Sequence, residues 1–147
     1  MQALADEAYP LETGGMLLGY EADNRELVLS SIIGPGPEAT HKRLAFVPDA
    51  RYQQAQIENT YRTSAGRITY LGDWHTHPSG EARLSARDRR TLAHIAHNHS
   101  GYSQYPAMLI LAGTAGAWEP TVCRFAGVTR KMFRRHYHVT PQTPVVY

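Results

Sequence analysis

The stretch Gly72-Asp73-Trp74-His75-Thr76-His77-Pro78-Ser79-Gly80-Glu81-Ala82-Arg83-Leu84-Ser85-Ala86-Arg87-Asp88 decides how this chain is read. Residues i and i+2 of a strand point to one face, so His75 and His77 can reach a single ion. Pro78 cannot donate to a ladder, so it ends the strand just after the second histidine. Gly80 lets the loop turn back. Ser85 and Asp88 have the spacing of a capping box, with Ser85 as N-cap of a helix running to about Asn98. Capping alone would account for that spacing. However, Asp88, Leu92 and Ile95 follow i, i+4, i+7, the core-facing stripe of the helix. A carboxylate at the head of that stripe points toward the sheet, and a buried carboxylate needs a partner. Two imidazoles on the preceding strand offer a metal site. His, His and Asp suit zinc with a fourth position open to water, the mark of a catalytic site.

Outward from this stretch, short β-like and helical segments alternate. Met1 to Tyr9 reads as the end of a helix stopped by Pro10. Gly15 to Tyr20 and Glu26 to Ile33 read as strands joined by the turn Ala22-Asp23-Asn24. Gly34-Pro35-Gly36-Pro37 is a loop signal. Arg43 to Val47 reads as a short strand. Asp49 is the expected N-cap of a helix of roughly four turns ending near Gly66. Arg67 to Thr76 is β-rich, and Pro106 to Ala112 reads as a buried strand. Ala117 to Phe125 and Val128 to Val139 read as two more strands, and 140–147 as an extended tail. Mixed strands and helices in this order predict an α/β sandwich of two or three layers.

Composition narrows the setting. A chain of 147 residues with 42% apolar and 19% charged residues is one ordinary globular domain. Fifteen Lys plus Arg against thirteen Asp plus Glu leave +2, too balanced to point to nucleic acid or a membrane surface. The single cysteine, Cys123, excludes an internal disulfide and a cysteine-based zinc cluster. The longest apolar run, Ala107 to Ala112, falls far short of the roughly 18 residues that span a bilayer. No basic stretch opens a secretory signal. These features predict a cytoplasmic protein.

A zinc hydrolase also needs a base. Glu12 lies in Leu11-Glu12-Thr13-Gly14-Gly15-Met16-Leu17-Leu18-Gly19, before two glycines that allow close backbone approach. Alone it is an ordinary surface acid; the combination gives it a role. Glu12, then His75-x-His77-Pro78, six residues, then Ser85-x-x-Asp88 resembles the JAMM (JAB/MPN) zinc metalloprotease signature at every position. The resemblance covers roughly Leu11 to Phe125. Gly34-Pro35-Gly36-Pro37, Phe46-x-Pro48-Asp49 and Tyr70 to Pro78 are similar to JAB proteins of bacterial ubiquitin-like conjugation operons, including anti-phage CBASS systems.

The resemblance implies a cytidine-deaminase-like/MPN fold, a central mixed, curved β-sheet flanked by helices, with 1–147 forming a single domain. It implies that His75, His77 and Asp88 hold Zn2+, that Glu12 is the base, and that Ser85 steadies the oxyanion. The implied reaction is isopeptide or peptide cleavage after the C-terminus of a ubiquitin-like protein or from a conjugated target. The implied partner is a ubiquitin-like protein or conjugated protein with an extended C-terminal tail, bordered by Ser79 to Leu84; neither membrane nor nucleic acid is expected. Two departures stand out. The chain begins only eleven residues before Glu12, where the family has a strand and a fuller helix, so the expectation is either a truncated sequence or a missing first strand. Many relatives have proline where this chain has Leu84. The rival readings are a non-catalytic MPN scaffold, which the complete ligand set opposes, and a RadC-like protein associated with DNA repair, which only a basic patch favours.

Other candidates read as structural. His94, His97 and His99 end a helix, where cationic and polar groups belong. His136 and His138 sit beside Arg134 and Arg135, and neighbouring cations oppose a metal. Arg130, Lys131, Arg134 and Arg135 read as a solvated face. Cys123 and Trp74 read as core residues, with Trp74 pointing away from the metal. Asp73 shares the histidines' face and is a candidate to support them.

Overall fold

A computed structural model describes residues 1–22, 26–98, 105–131 and 134–143, with the side chains of Lys131 and Arg134 left outside the description. The elements are α1 (Gln2–Ala8), β1 (Gly14–Glu21), β2 (Leu27–Ile33), β3 (Thr40–Lys42), β4 (Ala45–Val47), α2 (Ala50–Thr63), β5 (Thr69–Pro78), α3 (Ala86–Asn98), β6 (Ala107–Thr114), β7 (Ala117–Lys131) and β8 (Arg134–Gln142). Six strands form one mixed sheet in the order β2-β1-β5-β6-β7-β8, and β3 pairs with β4 as a separate hairpin. β5 and β6 are parallel, which requires a crossover, and α3 supplies it. The other neighbours in the sheet run antiparallel.

Helices cover both faces. Ala5 of α1 packs with Leu17, Leu71, Trp74, Leu111 and Trp118. On the other face Ile57 of α2 and Ile95 of α3 pack with Leu18, Ile33 and Tyr70. Leu92 of α3 joins Met108, Ile110 and Phe125 there. Consecutive residues Leu17 and Leu18 serve opposite faces, as the pleat requires. β5 departs from simple alternation. Leu17 pairs with Gly72 and Leu18 with Tyr70, a bulge that inserts one residue. The bulge puts Tyr70 on the same face as Asp73, His75 and His77, and Leu71 on the Trp74 face. Gly72 fits there because a Cβ would stand 1.8 Å from the Ala107 carbonyl oxygen.

Asp49 caps α2 as predicted, its Oδ1 accepting the Tyr52 amide at 3.0 Å. Three readings need correction. Residues 43–44 form a turn, so the expected strand from Arg43 is the hairpin β3–β4. β7 does not stop at Phe125; a register shift between Phe125 and Gly127 leaves Ala126 as the extra residue of a bulge, Gly127 pairs with His138, and the strand continues to Lys131. Thr140 to Gln142 are not tail but pair with Val122 to Arg124 at the sheet edge. Asp23 and Asn24 of the first expected turn, and 144–147 of the expected tail, lie outside the described residues. Cys123 and Trp74 are buried as predicted. No described helix is long and apolar enough to cross a membrane.

Candidate metal centre

β5 delivers His75 and His77 at its end, and the first turn of α3 delivers Asp88. The reciprocal cap is formed: the Ser85 amide donates to Asp88 Oδ2 at 2.6 Å, and the Asp88 amide donates to Ser85 Oγ at 3.2 Å. Asp88 is only 8% exposed, so its carboxylate needs the partners it has. His75 Nε2 lies 3.3 Å from Asp88 Oδ1, and His77 Nε2 lies 3.5 Å from Oδ2. The two Nε2 atoms are 3.1 Å apart. Among the described residues these three form the one group of potential ligands whose donor atoms lie within 4.8 Å of one another. Bonds of about 2.05 Å at tetrahedral angles place neighbouring donors roughly 3.3 Å apart. The observed spacings straddle that edge length, and two neutral-capable imidazoles with one carboxylate are a donor set that zinc accepts. His77 is oriented by the Glu81 carbonyl, 3.1 Å from its Nδ1, which leaves Nε2 toward the centre.

The charges belong to one coupled unit. Burial alone would raise the Asp88 carboxyl, but hydrogen bonds from His75, His77 and Ser85 hold it well below the usual carboxylate range. The hydrogen bond to Asp88 raises His77, against the opposing effect of burial. Glu12 is raised by burial, against the lowering effect of His75 and His77. Glu12 therefore faces the ligands closely enough to feel them. It shares with His75, His77, Ser85 and Asp88 a cleft of about 460 Å³, so all five predicted site residues meet in one place.

Glycines bring Glu12 there. A Cβ on Gly14 would sit 2.4 Å from the Trp74 carbonyl oxygen, and one on Gly15 1.9 Å from the Ile33 carbonyl oxygen. Only glycine lets β1 lie this close between β2 and β5. Asp73 accepts the Tyr70 hydroxyl at 2.7 Å on the same face. Sequence reasoning passed over Leu44, Phe46, Arg87 and Thr91, which also line the cleft, and His41, which bonds the Glu12 backbone. The hairpin signal around Arg43-Leu44 was too short to place Leu44, Phe46 or His41 in advance. The discounted histidines stay apart from the centre. His97 Nδ1 bonds the Ala93 carbonyl and His138 bonds Thr129. His94 contacts Asn98, and His99 lies outside the described residues.

A family model described as prokaryotic homologs of the JAB domain matches residues 1–126. The chain belongs to this JAB family. The JAB chain is 38% identical over 117 residues to the probable metalloprotease y4qB of Sinorhizobium fredii, covering 79% of the chain and 71% of that protein. It is 34% identical over 107 residues to the CD-NTase/cGAS isopeptidase of Vibrio cholerae, covering 73% of the chain and 65% of that protein. A protein of the same name from Enterobacter hormaechei matches at 29%, over 69% of the chain and 56% of its own length. The JAB chain thus spans between about half and seven tenths of these relatives. The solution structure of DSY2949 from Desulfitobacterium hafniense has the same fold, with a TM-score of 0.58 at 24% identity, covering 85% of the chain and 75% of that structure.

Proposed function

We propose that this chain is a zinc-dependent isopeptidase that cleaves after the C-terminus of a ubiquitin-like protein or a conjugated target. The observation that carries the reading is the convergence of His75, His77 and Asp88 with Glu12 on one cleft. The relatives named metalloprotease and isopeptidase support it, and the latter support a place in a CBASS-like anti-phage system.

His75, His77 and Asp88 would hold zinc, which when bound makes water acidic enough to ionise near neutral pH and polarises the scissile carbonyl. Glu12 takes the proton of the attacking water on its carboxylate. It returns that proton to the lysine amine as the C–N bond breaks. Half-burial raises Glu12 above an ordinary glutamate, which makes it a better proton acceptor. The Ser85 hydroxyl donates to the carbonyl oxygen as negative charge builds there. The carboxylate of Asp88, charged in this setting, would offset part of the cation's charge. The loop 79–84 leads from the second histidine to the helix cap and would flank the path of an extended tail, which can add as a strand.

The test is hydrolysis of a lysine-linked isopeptide conjugate by the zinc-loaded chain, alongside metal content by elemental mass spectrometry. Glu12→Ala is expected to abolish cleavage and keep about one zinc per chain; His75→Ala/His77→Ala is expected to lose both. Normal turnover by Glu12→Ala overturns the base assignment, and a wild-type chain that takes up no zinc overturns the reading as a whole.

A further inference from the structure

One histidine outside the ligand group reaches the base itself. His41 lies in β3, and its Nδ1 stands 2.9 Å from the Glu12 carbonyl oxygen. A carbonyl has no proton to give, so Nδ1 carries the hydrogen and donates it. The neighbouring residue of the hairpin takes the other half of the same residue's main chain: the Glu12 amide donates to the Lys42 carbonyl at 2.8 Å. Glu12 lies in no helix or strand, between the end of α1 and the start of β1. Its backbone is therefore anchored by His41 and Lys42, while the next residue is anchored from the opposite side. The Thr13 amide donates to Thr76 Oγ1 at 3.0 Å, and its carbonyl accepts the Thr76 amide at 2.8 Å. The His41 ring is itself fixed, half-buried against its cross-strand partner Phe46 with ring centroids 5.5 Å apart.

We propose that His41 is a positioning residue for Glu12, holding its backbone so that the carboxylate stands where the attacking water must give up its proton. The proposal rests on reading Glu12 as the base. A general base works within about 2.6–3.2 Å of its proton, and a misplacement of about 1 Å can cost on the order of a hundredfold in rate. The Glu12 carboxylate is carried on its own backbone and is half-buried in the cleft, so a displaced backbone displaces the reacting oxygen with it.

His41→Phe keeps a ring against Phe46 and removes the donor. His41→Asn loses the ring and returns an amide donor near the Nδ1 position. Both are compared with wild type as the zinc-loaded full chain, for kcat and KM on an isopeptide conjugate, zinc content, and hydrogen–deuterium exchange at the Glu12 amide. His41→Phe is expected to lower kcat about tenfold to a hundredfold with KM and zinc content unchanged, and to speed exchange at Glu12 at least tenfold. His41→Asn is expected to recover most of both. Wild-type kcat in His41→Phe, an equal loss in the two variants, or unchanged exchange would overturn the proposal. Glu12→Gln in parallel separates the two readings: if it turns over normally the base assignment fails, and if it is dead while His41→Phe is fully active only the positioning role fails.

Discussion

Ser85 is asked to do two jobs, and the structure lets them be separated. Its Oγ accepts the Asp88 amide at 3.2 Å, which caps α3. A hydroxyl has one hydrogen and two lone pairs, so this cap leaves the hydrogen free for a substrate oxygen. Ser85→Ala removes both. The lost cap costs about 1 kcal/mol, a fall in Tm of roughly 2–4 °C for a chain of this size. A protein destabilised by that amount remains folded at 25 °C. If the hydroxyl also meets the developing oxyanion, kcat falls by about 10²–10³. Ser85→Asn caps about as well as serine, but its amide cannot put a hydrogen where the hydroxyl did. The expected pattern is a lowered Tm and a collapsed kcat for Ser85→Ala, against a near-normal Tm and a still-collapsed kcat for Ser85→Asn. Thermal melts and isopeptide turnover on the same preparations read both quantities. A Ser85→Ala protein with wild-type kcat would refute the reasoning and leave Ser85 as a helix cap.

The remaining predictions concern metal, packing and pH. Because the hydrogen bond to Asp88 raises His77 above its usual 6.5, protons compete with zinc for its imidazole, so zinc affinity is expected to weaken as pH falls toward and below that value. Calorimetry in buffers of different ionisation enthalpy should show the released proton, and affinity independent of pH between 6 and 8 would contradict it. In the metal-free protein the sign reverses: the raised His77 contributes stability in full below about 6.5, lost as pH climbs through its folded value. Denaturant melts of zinc-stripped protein should show that decline. Gly15→Ala would drive a Cβ to 1.9 Å from the Ile33 carbonyl oxygen, so it is expected to cost about 1–3 kcal/mol or more and to disturb β1–β2 pairing; an unchanged Tm would argue against it. Trp74→Phe removes a buried indole hydrogen bond of 3.1 Å to that same carbonyl and is expected to destabilise by about 1–3 kcal/mol while leaving zinc content at one per chain.

What was legible in the sequence was what is written locally. The histidine pair on one strand face, the proline that ends it, the Ser85–Asp88 cap and the Asp49 cap all depend on neighbours within a few residues, and the structure has each of them in place. The apolar stripe of α3 predicted the burial of Asp88 for the same reason. The glycines were harder. Gly127 looks like a turn residue, yet β7 runs through it, because a bulge and a turn both use glycine's freedom and only the partner strand decides between them. The bulge before Gly72 was invisible, since it is defined against β1, more than fifty residues away. His41 lay in a three-residue strand with no periodicity to read, and its partner is a backbone carbonyl, which no pattern of side chains can announce.

The three residues proposed to hold the metal fall within fourteen consecutive residues, 75–88, while Glu12, the proposed base, comes 63 positions before His75. Loading and firing thus have separate addresses on the chain. A molecule whose residues 10–13 come away from the hairpin and from β5 keeps its strand end, its helix cap and its cation, yet stands idle. Zinc stoichiometry then counts the loaded molecules, and only titration of turnover counts the working ones. A purified batch with one zinc per chain and a low specific activity would be a mixture of these two populations, and the gap between the two counts would measure how often the amino-terminal segment is out of place.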